Sequence, residues 1–255
     1  MIRENKIKRM LKEQKSVIGT FVKTNDPAVV EVLGLSGFDF VILDNEHTAM
    51  NIESTVHLIR AANLTGMAPV VRVRENHPAE ILQALDAGAL GVQVPQVNTK
   101  DQAVQVVESV KYAPLGKRGY AASQRSAMYG FMNPAEYAER SNEETLISCY
   151  CETAEAIRNL DQILQVEQID VIFIGPYDLS QALGVLGQTD HPLVLKAIDE
   201  ITEKVRAANK AVGIIASDAG QAEHWIQKGI HYISLSSDLG MISALGKQYL
   251  RHLRK

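Results

Sequence analysis

The sequence predicts an α/β protein of the (β/α)8-barrel (TIM-barrel) class, with a single domain over residues 1–255. Short apolar runs without polar alternation recur along the chain, as in parallel strands that are buried on both faces. Amphipathic helical segments separate these runs, and eight strand–helix units in that order favour a closed barrel over an open sheet. A length of 255 residues suits one barrel domain.

The elements follow one another regularly along most of the chain. A charged amphipathic helix opens the sequence, and Gly88 and Gly229 stand just past two later helices, where a left-handed cap is favoured. The apolar runs predict strands at 17–22, 40–43, 70–73, 91–94, 146–151, 171–174, 211–215 and 232–235. The amphipathic segments predict helices at 27–35, 52–63, 78–87, 100–111, 154–163, 192–208 and 219–228.

Residues 112–142, between the fourth and fifth predicted strands, are the main departure from this regularity. Pro114, Gly116, Gly119 and Gly130 within the segment predict a long loop that contains one short helix. Loops of that length in a compact domain are usually functional or disordered. We therefore expect this segment to overhang the catalytic mouth of the barrel.

The composition excludes several classes of protein. Hydrophobic residues make up 46% and charged residues 22% of the chain, as in ordinary globular domains. A net charge of −4 argues against a general nucleic-acid binder. There is no apolar run of signal-peptide type and none long enough to span a membrane. Cys149 and Cys151 alternate on one predicted strand, where buried free thiols are expected. These observations predict a soluble, cytoplasmic protein.

Asp44, Glu46 and His47 follow directly on the second predicted strand. In a barrel of parallel strands, catalytic residues lie at the carboxyl ends of the strands and in the loops after them. A histidine beside carboxylates is a candidate general base, because an acidic neighbour fixes its tautomer and raises its basicity. The alternative is a surface loop whose polar groups cap the next helix.

Arg72 and Asp86 are isolated charges in apolar surroundings. Arg72 lies within an apolar strand, so it either pairs with a buried carboxylate or binds the carboxylate or enolate charge of a substrate. Asp86 is either a polar group at the end of a helix or a partner of a nearby catalytic base. The sequence spacing does not decide between these alternatives.

Glu152 and Asp178 each follow a predicted strand. Carboxylate oxygens are ligands that Mg²⁺, Mn²⁺ and Co²⁺ accept, and two protein ligands would leave coordination positions for water and a bidentate substrate. Asp178 has an alternative role as the cap of a short helix. Tyr177 and Asp178 would also present backbone N–H groups at the start of that helix, where a carboxylate can bind.

Six segments of the sequence resemble the HpcH/HpaI aldolase family, relatives of citrate lyase β. The resemblance runs in order over about residues 5 to 245, and the stretch from Phe173 to Ser180 is its most specific part. The six segments are Leu43-Asp-Asn-Glu-His47, Pro69-Val-Val-Arg72, Gln83-Ala-Leu-Asp-Ala-Gly88, Arg118-Gly119, Glu152-Thr153 and Phe173-Ile-Gly-Pro-Tyr-Asp-Leu-Ser180.

The resemblance implies a metal-dependent class II aldolase, a lyase that cleaves a 4-hydroxy-2-oxo acid to pyruvate and an aldehyde. It also implies a homo-oligomer, a hexamer built as a trimer of dimers with the last helix exchanged between subunits. The implied roles are acid/base catalysis for His47, tuning of His47 by Asp86 and Asp44, enolate stabilisation for Arg72, metal binding for Glu152 and Asp178, and carboxylate binding by the backbone amides of Tyr177 and Asp178.

Tyr150 departs from the family pattern, because these aldolases usually carry a substrate-contacting Gln two residues before the metal-binding Glu. A phenol is bulkier than an amide and has a single hydroxyl. The ring is expected to fill substrate volume, with the hydroxyl within reach of the 2-oxo acid; the alternative is a packing residue behind the site. Two other functions stay open, a lyase for a CoA thioester and a non-catalytic oxyacid-binding barrel. A Schiff-base mechanism would need a lysine near the site, and the only near candidate is Lys23, just beyond the first predicted strand.

Overall fold

The computed structural model describes residues 2–254 and confirms the predicted (β/α)8 barrel. Within that range eight parallel strands pair in sequence order, and β8 closes on β1. The strands are β1 (Val17–Val22), β2 (Phe40–Asp44), β3 (Ala68–Arg72), β4 (Gly91–Val94), β5 (Leu146–Tyr150), β6 (Val171–Ile174), β7 (Ala211–Ala216) and β8 (Tyr232–Ser237). The predicted strand boundaries differ from these by no more than two residues.

Helices surround the barrel, and side chains at the mouth fix where many of them begin. Asp26, Asn51, Thr99, Thr153 and Asp218 each accept a hydrogen bond from a first-turn backbone N–H. The helices are α1 (Lys6–Lys12), α2 (Pro27–Leu35), α3 (Ile52–Leu64), α4 (Pro78–Asp86), α5 (Lys100–Val110), α6 (Pro134–Glu144), α7 (Ala154–Ile163), α8 (Pro176–Ala182), α9 (Pro192–Ala207), α10 (Ala219–Gln227) and α11 (Asp238–Leu253). A 3-10 helix spans Arg125–Gly130.

Aromatic rings fill the interior of the barrel. Phe40 stacks on Tyr232 with ring centroids 4.3 Å apart, and Phe173 meets Tyr232 edge-on. Glycines on the strands make room for these rings, since a Cβ at Gly19 would lie 2.3 Å from the Phe40 ring. The barrel is therefore a packed core, and a cavity can form only at one of its ends.

The expectation that the long connection overhangs the mouth is wrong. Helix α5 runs back along the barrel from the end of β4, so it delivers the chain to the opposite end. There the guanidinium of Arg125 donates to the carbonyl of Ala87, just past the end of α4, at 2.7 Å. The connection also carries more helix than predicted, since α6 alone has 11 residues.

A lysine is buried at this end of the barrel. Lys111 has no exposed surface, and its ammonium donates to the carbonyl of Thr145 at 3.0 Å. The ammonium of Lys8 donates to the same carbonyl and lies 3.2 Å from a carboxylate oxygen of Asp170. Burial, and then the charge of Lys8, lowers the pKa of Lys111 to about 7.

This burial predicts a pH-dependent stability. The unfolded chain binds the Lys111 proton up to its ordinary pKa, whereas the folded chain releases it near pH 7. The free energy of unfolding should therefore rise between about pH 7 and pH 10, by up to about 1.4 kcal/mol per pH unit. Below pH 7 the folded protein also carries the charge of Lys111, so the full cost of burying that charge remains. Urea unfolding at several pH values should show this rise in wild type and not in Lys111→Met. Parallel pH profiles for the two proteins would contradict it.

The last helix, α11, leaves an apolar stripe uncovered. Four of its side chains are between 46% and 62% exposed, namely Leu239, Ile242, Leu245 and Leu250.

Among residues 2–254, no helix is long and apolar enough to cross a lipid bilayer. Cys149 and Cys151 are buried free thiols, as predicted.

Candidate active site

A cavity of about 570 Å³ opens at the mouth of the barrel, where the strands end. It is lined by residues at or just after the ends of several strands, including His47 after β2, Arg72 at the end of β3, Tyr150 at the end of β5 and Asp178 after β6. Residues far apart in the sequence therefore meet in one concave site.

Asp44 and Arg72 form a buried bidentate pair at the base of the site. They are the last residues of β2 and β3 and lie opposite each other in the strand register. The guanidinium donates from Nε to Asp44 Oδ1 at 3.0 Å and from Nη2 to Asp44 Oδ2 at 2.8 Å, while Nη1 lies 3.2 Å from Glu46 Oε2. Its Cζ also lies 4.7 Å from the centroid of the Phe21 ring. Arg72 thus pairs with the buried carboxylate of Asp44 and the partly buried carboxylate of Glu46, and it also lines the cavity.

The two carboxylates around Arg72 differ in their acidity. Burial opposes the ionisation of Asp44, but its hydrogen bonds from Arg72 and from the backbone N–H of His47 outweigh that effect and lower its pKa. For Glu46, burial is the largest effect, and it raises the pKa even though Arg72 and His47 favour the charged form. Asp44 is therefore a fixed anion, and Glu46 is the more basic of the two.

His47 lies on the loop after β2, and its side chain is more than half exposed. Its backbone N–H donates to Asp44 Oδ1 at 3.2 Å, so Asp44 holds the loop rather than the imidazole. The carboxylate nearest the imidazole is that of Glu46, whose Oε2 lies 3.7 Å from Nε2. The sequence analysis grouped Glu46 with His47 but gave Glu46 no role of its own.

Glu152 and Asp178 converge on Gly175, the residue that follows β6. Gly175 has no side chain, and a Cβ atom placed on it would lie 2.8 Å from Glu152 Oε2 and 3.7 Å from Asp178 Oδ2. Both carboxylates therefore border the space that the glycine leaves open. Glu152 is buried, and its Oε1 accepts the backbone N–H of Gln96 at 3.1 Å. Gln96 lies in the loop after β4, and its backbone has the left-handed conformation, with φ of 53°.

Glu152 is hard to ionise in these surroundings. Burial, and then the neighbouring charge of Asp178, raises its pKa to about 7, although the N–H of Gln96 opposes the rise. Among the described residues, no group of three or more His, Cys, Asp or Glu side chains is arranged to hold a metal ion. Glu152 and Asp178 thus form a pair of neighbouring carboxylates at the mouth of the barrel, and their role as the two metal ligands stays a prediction.

Tyr150 reaches the site with its ring rather than its hydroxyl. The ring lines the cavity, with its centroid 4.8 Å from that of Phe173 and 5.8 Å from Cζ of Arg72. The hydroxyl donates to Oε1 of the buried Gln93 at 2.9 Å, and Gln93 in turn donates to the hydroxyl of Tyr232. The hydroxyl proton of Tyr150 is therefore already donated to Gln93, inside the barrel.

This geometry separates two substitutions at Tyr150. Tyr150→Gln should keep the fold and widen the range of accepted aldehydes, because a smaller side chain leaves more of the cavity to the substrate. Tyr150→Phe should leave kcat/KM nearly unchanged but cost about 1 kcal/mol of stability, because the amide oxygen of Gln93 loses its donor. Steady-state kinetics and urea unfolding of both variants would test this. A loss of kcat/KM in Tyr150→Phe with unchanged stability would mean that the hydroxyl acts on substrate.

Asp86 is not brought to His47 within one chain. It is the last residue of α4, which runs from the mouth to the opposite end of the barrel. There it forms an ion pair of 2.6 Å with Arg118, whose guanidinium lies over the ring of Tyr112. Of the two alternatives considered from the sequence, this placement corresponds to the polar group at the end of a helix.

Lys23, Gln93 and Ser236 also belong to the site or support it. The sequence analysis considered Lys23 only for a Schiff base and gave Gln93 and Ser236 no role. Lys23 follows β1 and lines the cavity, as does Ser236 at the end of β8. In the sequence, Gln93 is a single polar residue within an apolar strand, just as Arg72 is a single charged residue within one. This pattern could have indicated a functional role for Gln93. Ser236 has no comparable signal in the sequence, because its left-handed φ of 55° becomes apparent only in the structure.

Comparison with known proteins identifies the family of the chain. The family model for HpcH/HpaI aldolase/citrate lyase matches residues 17–244. A 5-keto-4-deoxy-D-glucarate aldolase of Shigella boydii serotype 18 (strain CDC 3083-94 / BS512) is 38% identical over 237 residues, which cover 93% of this chain and 91% of that protein. The chain belongs to the HpcH/HpaI aldolase/citrate lyase family. Membership confirms the predicted family, and it supports the prediction of a carbon–carbon lyase of the aldolase type.

Solved structures agree with this assignment. A HpcH/HpaI aldolase/citrate lyase family protein from Burkholderia cenocepacia J2315 has a TM-score of 0.93 and 28% identity, with 98% of this chain and all of that chain covered. The citrate synthase SbnG has a TM-score of 0.89 and 32% identity, with 97% of both chains covered. The HpcH/HpaI fold therefore extends over nearly the whole chain.

Proposed function

We propose that this HpcH/HpaI family member is a divalent-metal-dependent aldolase that reversibly cleaves a 4-hydroxy-2-oxo acid to pyruvate and an aldehyde. One observation carries the proposal, the convergence of Glu152 and Asp178 on Gly175, which lines the same cavity as Arg72 and His47. A relative that is 38% identical is named for its action on 5-keto-4-deoxy-D-glucarate, an acid of this class.

Glu152 and Asp178 would hold the metal ion. Burial, and then the charge of Asp178, raises the pKa of Glu152, and a divalent cation held by these carboxylates would offset the repulsion between them. Their oxygens suit Mg²⁺, Mn²⁺ or Co²⁺. When bound, such an ion supplies Lewis-acid polarisation of the 2-oxo group.

The side chains of the chain would then perform the proton transfer and stabilise charge. The imidazole of His47 takes the proton of the substrate 4-hydroxyl, the C3–C4 bond breaks, and the aldehyde leaves. The electron pair of that bond passes to the pyruvate enolate, which is protonated at C3 to give pyruvate. Arg72, oriented by Asp44 and Glu46, offers its charge to the enolate oxygen.

The start of α8 is suited to the substrate carboxylate. No side chain caps this helix, so the backbone N–H groups of Tyr177 and Asp178 lack a capping partner at the edge of the cavity. We infer that these two amides bind the carboxylate of the 2-oxo acid, next to the carboxylate pair that would hold the metal.

A CoA-thioester lyase has less support on this chain. In the part of the cavity that the structure describes, the Lys and Arg side chains are those of Lys23 and Arg72. Arg72 is engaged with Asp44 and Glu46, which leaves one cation for the several phosphate charges of CoA. Retention of His47 argues against a pure binding protein, because binding alone has no need of a base.

The function is tested by the release of pyruvate from a panel of 4-hydroxy-2-oxo acids. Release should be undetectable after chelation and should return with Mg²⁺, Mn²⁺ or Co²⁺, and the best substrate identifies the aldehyde. Acyl-CoA substrates run alongside test the thioester alternative. Turnover of a thioester with no pyruvate release from any member of the panel would refute the aldolase assignment.

We also propose that the enzyme is a homo-oligomer in the cytoplasm, assembled as a hexamer in which α11 is exchanged between subunits. The exposed apolar stripe of α11 supports association, because a partner subunit would cover it. The buried free thiols suit a reducing compartment. Light scattering at micromolar concentration should show an assembly larger than a monomer; a monomer would exclude the hexamer.

Assembly would also reconcile the role implied for Asp86 with its position. Asp86 lies at the far end of its own barrel, so it could tune His47 only in the site of a neighbouring subunit. Mixing Asp86→Ala with His47→Ala subunits, after dissociation and reassembly, tests this. Recovery of activity in the mixture would support a shared site. Full activity of Asp86→Ala alone would remove Asp86 from the mechanism.

A further inference from the structure

A second cavity lies at the end of the barrel opposite the candidate active site. This far-end cavity has a volume of about 440 Å³ and opens where the strands begin, since Ala211 is the first residue of β7 and His231 directly precedes β8. Pockets of this size are ordinary for small-molecule ligands. The proposed aldol reaction takes place at the mouth and gives the far-end cavity no role.

The wall of the far-end cavity is positively charged. Lys12 at the end of α1, Arg206 in the last turn of α9, and Lys210 all border it. His231 is a fourth basic side chain of the wall. The lining residues that the structure describes include no Asp or Glu, although the whole chain carries a net charge of −4. A concave site lined by one sign of charge attracts ligands of the opposite sign.

A glycine makes room for Arg206 beside the cavity. A Cβ at Gly229 would lie 2.7 Å from Arg206 Nη1 and 2.8 Å from its Cζ, so the guanidinium lies against the backbone of the turn before β8. A cation in the last turn of a helix commonly interacts with the final carbonyls of that helix. The guanidinium of Arg206 instead reaches across to another element, and among the described residues it makes no hydrogen bond or ion pair. Its donors are therefore open to a ligand.

His231 is fixed next to Arg206. Its Nδ1 lies 3.0 Å from the hydroxyl oxygen of Ser16, and its carbonyl accepts the backbone N–H of Val17. Burial, and then the charge of Arg206, lowers the pKa of His231, so the imidazole and the guanidinium act on each other across the cavity wall. The second ring nitrogen, Nε2, has no hydrogen bond within residues 2–254. An anion between the two side chains would offset their repulsion.

The two lysines of the wall contribute differently. The ammonium of Lys210 donates to three backbone carbonyls at distances of 2.9 to 3.1 Å, those of Val166, Glu167 and Ile169. An ammonium has three protons, so Lys210 adds charge and fixes the wall but has no donor left. Lys12 is exposed, and its ammonium has no hydrogen bond or ion pair in the described part of the chain. The flexible side chain of Lys12 can therefore close on a ligand.

This arrangement suits a phosphate group better than a carboxylate. A guanidinium can donate to two phosphate oxygens at once, which leaves the third oxygen to the ammonium or the imidazole. The two negative charges of a phosphate also match a wall with three cations, whereas one carboxylate would leave most of that charge uncompensated. A volume of about 440 Å³ exceeds that of a single phosphate ion and leaves room for an organic group attached to it.

We propose that Arg206, His231 and Lys12 form a binding site for a phosphate group at the end of the barrel opposite the active site. The phosphate comes from a small phosphorylated molecule or from the free ion. The inference goes beyond the proposed function and does not depend on it, because none of these three residues lines the cavity at the mouth.

Calorimetry of the full-length, metal-free protein with inorganic phosphate and with glycerol 3-phosphate tests the site. Both should bind to wild type, and Arg206→Met should weaken both by about 10- to 100-fold, the range of one hydrogen bond to a charged group. Arg206→Lys should recover part of the affinity. Lys12→Met should lose less than Arg206→Met, because the lysine donates one hydrogen bond where the guanidinium donates two.

Two control variants locate the binding. Lys196→Met removes an exposed lysine elsewhere on α9, and Lys23→Met removes a cation at the mouth; both should bind phosphate as wild type does. Circular dichroism and urea unfolding verify that each variant is folded.

The two ligands also distinguish the sources of the phosphate. Tighter binding of glycerol 3-phosphate would identify a phosphorylated molecule as the ligand, and equal affinities would identify the free ion. Failure of both compounds to bind at millimolar concentration, or wild-type affinity in Arg206→Met, would overturn the proposal. Loss of binding in Lys23→Met with binding kept in Arg206→Met would place the phosphate at the mouth and overturn it as well.

Discussion

Replacing Glu152 or Asp178 by alanine is expected to lower pyruvate release by about 10³-fold or more, because the metal supplies several kcal/mol of charge stabilisation and each 1.4 kcal/mol is a factor of ten. Neither residue packs the core of the barrel. Asp178→Ala should instead stabilise the metal-free protein, since it removes the charge that hinders the ionisation of Glu152. Steady-state assays and urea unfolding in chelator measure the two effects.

Two further variants sharpen this prediction. Glu155→Ala removes an exposed carboxylate three residues from Glu152 and should behave as wild type. Gly175→Ala keeps both carboxylates but places a methyl group 2.8 Å from Glu152 Oε2, so it should weaken Mn²⁺ binding by about 10- to 100-fold. If a folded Glu152→Ala or Asp178→Ala protein turns over at the wild-type rate, the metal site is wrongly assigned.

His47→Ala is expected to slow aldol cleavage by about 10²-fold or more, the usual contribution of a positioned general base. Exchange of the C3 protons of pyruvate with solvent should persist, because water can handle that step on the polarised 2-oxo acid. Pyruvate release and exchange followed by proton NMR give both rates on one sample.

A matched control is available on the next helix. His57→Ala removes another exposed histidine, on α3, and should leave both rates unchanged. Equal cleavage rates in His47→Ala and wild type would remove His47 from the mechanism. Loss of exchange together with cleavage would mean that His47 also handles the C3 proton.

The barrel could be predicted because its signals are local. Each strand is an apolar run, and each of several helices begins at a side-chain cap such as Thr99 or Thr153. The position of a residue at the end of a strand also predicted which side chains would meet, since Asp44, Arg72 and Glu152 all lie at or just past strand ends at the same mouth.

The rest depended on information that is not local. The connection after α5 lies at the far end of the barrel because of the direction of that helix, which the Gly and Pro content of the loop did not indicate. The ion pair of Asp86 with Arg118 joins residues 32 positions apart, and no spacing rule predicts it. The position of Lys23, whose ammonium lies 3.7 Å from Asp44 Oδ2, likewise became apparent only in the structure.

The most direct measurement is the rate of pyruvate release from a 4-hydroxy-2-oxo acid, followed in one sample through chelation and restoration of Mn²⁺. Our account predicts that release stops when the metal is removed and returns when it is added, and that borohydride with pyruvate traps no covalent adduct. Release that continues in chelator, together with a borohydride-trapped adduct on Lys23, would contradict it.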